Sequence, residues 1–168
     1  IEIRRLKMSS HLYVMVGAPG SGKSTWIRKN MGTLFNESMC VYVSRDAIRY
    51  NMLSDTDEYF SHEREVFNEM IYQIVDGLKQ GLNVFADASH LNHASRAKLI
   101  NAINRHYTDY DVRFVFFDTC LATCVKRNAQ RTGRALVPES VIGQMFGNMT
   151  VPTVGEFPNC VGVWMVRE

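Results

Sequence analysis

Nine residues near the start of the chain have the types and spacing of a phosphate-binding loop. Residues 17–25 read Gly-Ala-Pro-Gly-Ser-Gly-Lys-Ser-Thr and lie between the apolar run 12–16 and a stretch of helical character. Glycines let successive backbone N–H groups turn toward one anion, and the N-terminus of the following helix adds its positive dipole. The pattern therefore predicts a P-loop. The residues expected to bind a nucleotide are Gly20, Ser21, Gly22, Lys23, Ser24 and Thr25.

Two side chains of this loop could serve phosphoryl transfer. Lys23 is placed to reach the β- and γ-phosphates of ATP, and the Ser24 hydroxyl is placed to bind Mg²⁺. Asp87 directly follows the apolar run 83–86, a position where P-loop proteins carry an acid that holds magnesium directly or through water. The alternative interpretations are a tight turn without a ligand for the loop, and a turn cap for Asp87.

Asp87 also has two histidines close by in the sequence. His90 and His93 follow it at short spacing, which leaves open a transition-metal cluster. A P-loop already implies magnesium with oxygen ligands, and no fourth ligand is evident. The magnesium interpretation is therefore the stronger one.

A second polar site follows the apolar run 39–43. Ser44 has the residue type of a helix N-cap, and Asp46 and Arg49 lie three positions apart in the predicted helix, so they share a face. A carboxylate there can accept a proton from an acceptor hydroxyl, and a guanidinium can clamp an acceptor anion. The alternative is that Asp46 favours the positive end of the helix and Arg49 is a solvated charge.

Residues 121–134, which we call the lid segment, are rich in cations. Lys126, Arg127, Arg131 and Arg134 lie within nine positions, and residues 120–136 contain no acid to balance them. We expect Arg127 and Arg131 to share a helical face over the P-loop, where they would neutralise charge on the transferring phosphoryl group. A solvated basic helix face is the alternative.

The elements that position these residues alternate along the chain. The predicted fold class is α/β, a three-layer arrangement with a parallel sheet of about five strands flanked by helices, because near-continuous apolar strands alternate with helices. The strands are predicted at 12–16, 39–43, 83–86, 112–117 and 161–166, and the longer helices at 59–80, 93–106 and 138–149. The carboxyl ends of the first three strands carry the P-loop, the Ser44–Arg49 segment and Asp87, so these converge on one crevice.

Length and composition limit the possibilities further. The chain has 168 residues with 46% hydrophobic content, enough for one domain, and a formal net charge of +2, which neither requires nor excludes nucleic acid. Four cysteines without Cys-x-x-Cys spacing favour reduced thiols and a cytoplasmic location, and no apolar run is long enough to cross a membrane. Residues 1–7 are interpreted as an expression remnant or fragment edge before Met8, and residues 8–168 as a single P-loop kinase domain. No aromatic-rich stacking platform is evident.

Four ordered blocks, residues 17–26, 44–49, 87–92 and 125–138, together resemble the phage-type polynucleotide 5′-kinases, the kinase module of end-healing enzymes. The resemblance implies a P-loop kinase fold with an arginine-bearing lid and transfer of the ATP γ-phosphate to 5′-hydroxyl ends of DNA or RNA. It implies that Asp46 is the general base and that Arg49 binds the phosphate beside the acceptor nucleoside. Lys23 and Ser24 would bind ATP phosphates and magnesium, while Arg127 and Arg131 would belong to the lid. The residues expected to act in catalysis are Lys23, Asp46 and Arg127, and those expected to contact the acceptor are Arg49, Asp87 and Ser89.

The sequence departs from this family in two places. The segment after Asp87 is one residue longer than in some members, which leaves open whether Ala88, Ser89 or His90 faces the acceptor. No phosphatase nucleophile motif is found, since Asp55-Thr56-Asp57 does not follow a strand, so we expect 5′ phosphorylation without removal of 3′-phosphates. A small-molecule or nucleoside-type kinase and a nucleotide-dependent regulatory ATPase remain the alternatives.

Overall fold

The structure is a computed structural model, and it describes residues 10–167. The predicted boundary at Met8 and the interpretation of residues 1–7 lie outside the described residues. The strands are β1 (Ser10–Val16), β2 (Cys40–Ser44), β3 (Asn83–Asp87), β4 (Tyr110–Asp118) and β5 (Cys160–Arg167). The α-helices are α1 (Lys23–Asn30), α2 (Arg45–Met52), α3 (Glu63–Lys79), α4 (His93–Asn104), α5 (Leu121–Asn128) and α6 (Glu139–Gly147).

The five strands form one parallel sheet in the order β2-β3-β1-β4-β5. Parallel neighbours need crossover connections, and the helices provide them, so both faces of the sheet are covered. The predicted three-layer α/β fold with five strands is confirmed. Strands β1 and β2 are consecutive in the sequence but are separated in the sheet by β3. The chain therefore forms β2 and β3 on one side of β1, and then crosses β1 to form β4 and β5 on the other side.

Strand β1 shows why this sequence builds two core layers. Successive side chains of a strand point to opposite faces. Leu12, Val14 and Val16 pack into a core with α3 and α4, whereas Tyr13 and Met15 pack into a second core beside α1. Because both sets are buried, β1 is the central strand that fixes the position of the loop that follows it.

The carboxyl ends of β1, β2 and β3 lie at one edge of the sheet and begin the three predicted site segments. Ser44 of β2 pairs with Asp87 of β3, which places the start of α2 beside Asp87. The side chain of Ser44 accepts a hydrogen bond from the Ala47 N–H, as expected of an N-cap. The three segments therefore converge as predicted.

Two predicted elements differ from the structure in ways that matter for the site. Helix α3 was expected from about residue 59 but begins at Glu63, so Tyr59 and Phe60 lie in the turn before it. The predicted shared helical face of Arg127 and Arg131 is wrong, because α5 ends at Asn128. The amide of Asn128 exchanges two hydrogen bonds with the backbone of Val137, at 2.6 and 3.1 Å, and this closes a loop in which Arg131 lies.

None of the helices within residues 10–167 combines the length and apolar character needed to span a lipid bilayer.

Candidate active site

The P-loop has a backbone that requires glycine at two positions. Gly20 and Gly22 have φ values of +81° and +97°, in the left-handed region that other residues rarely adopt. A Cβ at Gly20 would also overlap the backbone carbonyl of Cys124, since the loop packs directly against α5. Gly22 is the residue before α1, which begins at Lys23, so the predicted order of strand, glycine loop and helix is confirmed.

Lys23 points back across the loop. Its Nζ donates hydrogen bonds to the carbonyl oxygens of Gly17 and Ala18, both at 2.9 Å. Burial lowers the pKa of Lys23, and the nearby carboxylate of Asp87 opposes this shift. The ammonium group is thus held at the loop, in a position to exchange carbonyl partners for phosphate oxygens.

Asp87 and Ser24 form the second part of the donor side. The Ser24 hydroxyl donates a 2.6 Å hydrogen bond to Asp87 Oδ2, and the Tyr42 hydroxyl donates another of 2.6 Å to the same oxygen. Burial raises the pKa of Tyr42, and the bond to Asp87 raises it further, so Tyr42 remains a donor. A hydroxyl oxygen and a carboxylate oxygen this close together are suitable ligands for Mg²⁺, which prefers oxygen ligands.

The alternative transition-metal cluster finds no support. Among residues 10–167 there is no group of three or more His, Cys, Asp or Glu side chains arranged to hold a metal ion. The His93 ring stacks on Phe157, with ring centroids 5.5 Å apart, and its Nδ1 lies 3.8 Å from Glu156. His93 therefore faces a different part of the molecule.

The part of the site that is predicted to bind an acceptor, which we call the acceptor side, is centred on Asp46, whose side chain is 68% exposed. Arg49, one turn further along α2, is buried and donates a 2.6 Å hydrogen bond from Nη1 to Asp46 Oδ1. The Tyr59 hydroxyl lies 3.3 Å from the same oxygen. The predicted pairing of Asp46 with Arg49 on one helix face is present, and it leaves the rest of the Asp46 carboxylate open to solvent.

Arg49 is itself held by a residue that was not predicted. Its Nε and Nη2 donate to the two carboxylate oxygens of Glu63, at 2.6 and 3.0 Å, which is the bidentate geometry that arginine makes with carboxylates. Burial alone would lower the pKa of Arg49, but the hydrogen bonds to Glu63 and Tyr59 raise it overall. Burial would likewise raise the pKa of Glu63, and the contacts with Arg49 lower it overall. Both groups are therefore charged at neutral pH, and the fork of Arg49 faces Glu63.

Two aromatic rings contact this arginine, and the sequence did not predict these contacts. The Arg49 guanidinium carbon lies 4.7 Å from the Tyr59 ring centroid and 5.2 Å from that of Phe60. The Tyr59 ring also contacts Tyr50, with centroids 5.9 Å apart. Tyr59 and Phe60 are adjacent in the sequence and Tyr50 lies nine positions earlier. Their grouping depends on the turn before α3, so periodicity did not reveal it.

The segment after Asp87 is fixed largely through its backbone. The Ser89 carbonyl accepts a 3.1 Å hydrogen bond from the Gly17 N–H, and the His90 carbonyl lies 3.2 Å from Nη1 of the fully buried Arg96. His90 has a φ of +44°, which is unusual for a residue other than glycine. Burial, followed by the charges of Arg45 and Lys23, lowers the pKa of His90 to about 3, so its imidazole is neutral at physiological pH.

The lid segment approaches both sides. Nη1 of Arg127 lies 3.5 Å from the Gly20 carbonyl oxygen. Arg131, in the loop after α5, lines the cavity above Lys23 and Ser24. Arg134 instead donates to the backbone carbonyls of Ser54 and Asp55, at 2.9 Å to the latter, and so connects the lid segment to the turn between α2 and α3.

One cavity of about 470 Å³ joins the two sides. It contains seven of the predicted site residues: Lys23, Ser24, Asp46, Arg49, Asp87, Ser89 and Arg131. Thr25 is exposed on α1, and Gly20, Ser21, Gly22 and Arg127 lie at the P-loop and are not among the cavity-lining residues. Residues that the sequence did not single out also line it, including Arg45, Tyr59, Phe60, Glu63 and Lys98. Of these, only Arg45 carried a sequence signal, since it is adjacent to Asp46.

Comparison with solved structures shows kinases with the same fold. A chain in the structure of the Pnkp1/Rnl/Hen1 RNA repair complex is 27% identical, with a TM-score of 0.71, and the match covers 86% of this chain and 45% of that chain. The protein thus spans less than half the length of that relative. A gluconokinase from Sinorhizobium meliloti 1021 is 19% identical, with a TM-score of 0.56 and coverage of 97% of this chain and 84% of that chain. The APS kinase CysC of Mycobacterium tuberculosis, solved with AMPPNP and APS, is 20% identical, with a TM-score of 0.58 and coverage of 73% and 70%.

Sequence comparisons define the family. A comparison with curated protein sequences found no match. A family model described as an AAA domain matches residues 12–152, which include the P-loop, Asp46, Asp87 and the whole lid segment. Because this match covers most of the chain, the protein belongs to that AAA domain family, and within it the chain has a P-loop kinase-like fold.

Proposed function

We propose that the protein is a polynucleotide 5′-hydroxyl kinase, which transfers the ATP γ-phosphate to the 5′-OH end of DNA or RNA. The observation that carries this proposal is the exposed carboxylate of Asp46, held by Arg49 in the same cavity as Lys23 and Ser24. A nucleotide switch that releases phosphate only to water has no need of a second carboxylate facing the P-loop. The arrangement therefore favours transfer to an acceptor hydroxyl.

The donor side has the residues that such a reaction needs. The P-loop backbone and Lys23 would hold the phosphates of ATP, and Ser24 with Asp87 would hold Mg²⁺. The ion would neutralise charge on the β- and γ-phosphates. Arg131 lines the cavity above this region and Arg127 lies against Gly20, so both are near enough to counter the negative charge that spreads over the transferring group.

The acceptor step follows from the position of Asp46. The carboxylate accepts the proton of the 5′-hydroxyl as its oxygen bonds to the γ-phosphorus, and the bond between the γ-phosphorus and the bridging oxygen breaks to release ADP. Arg49 keeps Asp46 in place, and the bidentate contact with Glu63 keeps Arg49 in place. Because Arg49 is occupied in this way, we propose that it positions the base in addition to any contact with the acceptor phosphate.

Two observations bear on the acceptor class. The 27% identity to the chain from an RNA repair complex supports a nucleic-acid end, as does the ordered set of blocks described above. The likeness to the gluconokinase extends over more of both chains, but at 19% identity it supports the fold and not the substrate. A small-molecule kinase is therefore the second candidate only because the same fold serves such an enzyme.

An end-labelling assay separates these candidates. Labelled ATP and magnesium would be supplied with 5′-hydroxyl DNA and RNA oligonucleotides and, in parallel, with a panel of sugars, sugar acids and nucleosides. We expect label on the oligonucleotide ends. Label found only on a small molecule, or only in free phosphate, would contradict the proposal and favour the second candidate or an ATPase.

Asp46→Asn is the matched test of the proposed base. Removing the ability to accept a proton is expected to lower the turnover number by about 10²- to 10⁴-fold while ATP binding is retained. Asp55→Asn, which changes an exposed acid of the neighbouring turn outside the cavity lining, should leave transfer unchanged. Full transfer by Asp46→Asn would exclude Asp46 as the base.

A further inference from the structure

Phe60 has an apolar ring that is not packed in the hydrophobic core. Its side chain is 67% exposed and lies in the turn before α3, yet it lines the same cavity as Asp46. The cavity lining combines charged groups with other apolar side chains, including Phe67, Leu91 and Met145. An exposed aromatic ring in a cavity that also contains the proposed base provides a contact surface for a ligand.

The ring is held in a fixed orientation by its neighbours. The Tyr59 and Phe60 rings meet edge to face, with centroids 4.8 Å apart and an interplanar angle of 76°. Both rings lie over the Arg49 guanidinium, which is fixed at its other edge by Glu63. The two rings are not part of the hydrophobic core, and cation–π contacts to a buried arginine hold them instead. The exposed face of Phe60 is thus ordered before any acceptor arrives.

Arg49 connects the Phe60 ring to the proposed base, because its Nη1 donates a 2.6 Å hydrogen bond to Asp46 Oδ1 and its guanidinium carbon lies 5.2 Å from the Phe60 ring centroid. Tyr59, the neighbour of Phe60, reaches Asp46 with its hydroxyl at 3.3 Å. In a nucleoside the base is one ribose away from the 5′-hydroxyl, so an acceptor that presents its hydroxyl to Asp46 brings its base to the adjacent rim. A flat base can stack on an aromatic face, and such stacking tolerates any base identity because every base has a π face.

Two further cations that line the cavity suit the next part of the same acceptor. The Lys98 ammonium, on α4, lies 4.7 Å from the centroid of the Phe67 ring, and the Arg45 guanidinium, at the start of α2, lies 5.9 Å from the same centroid. Arg45 also donates a 2.8 Å hydrogen bond to Glu63. Both cations provide positive charge for the phosphate that follows the first nucleoside. A free sugar or sugar acid has neither a flat base nor the phosphate that follows the first nucleoside.

We propose that Phe60, supported by Tyr59 and Arg49, stacks on the terminal base of the acceptor and so selects nucleic-acid ends that carry a base. This inference rests on the proposed polynucleotide kinase function and identifies which part of the acceptor is recognised. It assigns no preference among the four bases, since no hydrogen-bonding group of Phe60 reads a base edge.

The test compares two acceptors that differ only at the terminal base. One 5′-hydroxyl oligonucleotide carries an ordinary terminal adenosine, and the other carries an abasic residue at that position. The parent protein is expected to have about tenfold higher kcat/KM for the first, mainly through KM, as the loss of one stacked base predicts. Phe60→Ala should lower kcat/KM for the ordinary end to the level of the abasic end, with little change for the abasic end.

Two further variants separate stacking from a structural role. Phe60→Trp keeps a flat ring and should retain the preference for the ordinary end. Tyr72→Ala removes an equally exposed ring, also 67% exposed, which lies in a separate cavity of about 440 Å³ between α3 and α4, and it should leave the preference intact. If Phe60→Ala lowers activity equally on both ends, or keeps the full preference, the stacking assignment is wrong.

The same assay distinguishes this inference from the function on which it depends. If the parent labels both oligonucleotides but shows no preference, only the stacking assignment fails. If it labels neither, the proposed kinase function fails and the stacking assignment fails with it.

Discussion

The donor and acceptor sides of the cavity are built in different ways. On the donor side the backbone is the main structural device: Gly20 and Gly22 adopt left-handed conformations, and Lys23 bonds to carbonyl oxygens of the loop itself. On the acceptor side the site is formed by side chains, since Arg49 holds Asp46 and Glu63 holds Arg49. A backbone cradle binds phosphate groups, which all nucleoside triphosphates share, whereas a side-chain assembly can differ with the groups that an acceptor presents.

Among the variants that compare the two sides through ligand binding, the largest effect is expected from a change on the donor side, Gly20→Ala. An alanine there is forced into a left-handed conformation and its Cβ overlaps the Cys124 carbonyl. Strain of about 1–3 kcal/mol at such a position corresponds to roughly 5- to 150-fold weaker nucleotide binding, measured by calorimetric titration with ATP.

Gly143→Ala is the matched control for that change. Gly143 lies within α6, and a Cβ there meets open space. We expect unchanged ATP binding and a free energy of unfolding that is equal or higher by about 0.5–1 kcal/mol. Equal ATP affinity in Gly20→Ala and the parent would show that the donor side does not depend on its backbone, and would break the contrast.

On the acceptor side, Glu63→Gln tests whether the assembly depends on charge. Glutamine keeps the shape but loses the charge that holds Arg49, and hydrogen bonds to charged groups contribute about 1.5–3 kcal/mol. We expect kcat/KM for the acceptor to fall about tenfold or more, with ATP affinity unchanged, in steady-state assays that vary each substrate separately. Glu65→Gln, at an exposed glutamate whose Oε1 lies 3.7 Å from Arg64, should behave like the parent. A loss of ATP affinity in Glu63→Gln would mean that the two sides are not separable.

The same contrast explains what could be predicted from the sequence. A left-handed turn with a close backbone contact accepts essentially one residue type, so the glycines and Lys23 of the P-loop were identifiable from spacing alone. The inner strands β1, β3 and β4 were identifiable because both of their faces are largely buried, so each reads as a nearly continuous apolar run. The edge strands β2 and β5 are only partly buried but are also mostly apolar in sequence. These are local requirements, and local requirements leave a trace in the sequence.

The side-chain partners left no comparable trace. Glu63 lies 14 positions from Arg49, and Tyr42 lies 45 positions from Asp87, so each contact exists only after the elements have packed. Tyr59 and Phe60 were assigned to the start of a helix over residues 59–80, because Phe60 fits the helical period of the apolar residues that follow it. The contacts with Arg49 instead hold them in the turn before α3. Tertiary pairing of charged and aromatic groups determined this part of the site, and periodicity does not encode it.

A third prediction concerns His90, which lies where the two sides meet. Its pKa is lowered from 6.5 to about 3 in the folded protein, chiefly by burial. Between these values the unfolded chain binds a proton that the folded protein does not. The free energy of unfolding is therefore expected to fall as the pH decreases below about 6.5, by up to about 1.4 kcal/mol per pH unit.

Two variants of His90 isolate this titration from backbone strain. Asparagine tolerates a positive φ and does not titrate, so His90→Asn should reduce the pH dependence of unfolding measured in urea at a series of pH values. His90→Ala also removes the titration but adds strain, so its free energy of unfolding should be lower than that of His90→Asn by a constant amount at every pH. An unchanged pH dependence in both variants would assign the acid sensitivity to other groups.

The smallest effect is expected from Arg134→Ala, which cuts the direct link between the lid segment and the turn between α2 and α3. Arg134 is exposed and donates to the carbonyl oxygens of Ser54 and Asp55, and exposed hydrogen bonds of this kind contribute at the low end of about 0.5–1.5 kcal/mol. We expect KM for the acceptor to rise about two- to fivefold with ATP affinity unchanged. Arg64→Ala, at a side chain that is 86% exposed and lies on α3, is the control for loss of a surface cation. If Arg134→Ala weakened ATP binding more than acceptor binding, the lid segment would belong to the donor side alone, and the link across the cavity would have no role in placing the acceptor.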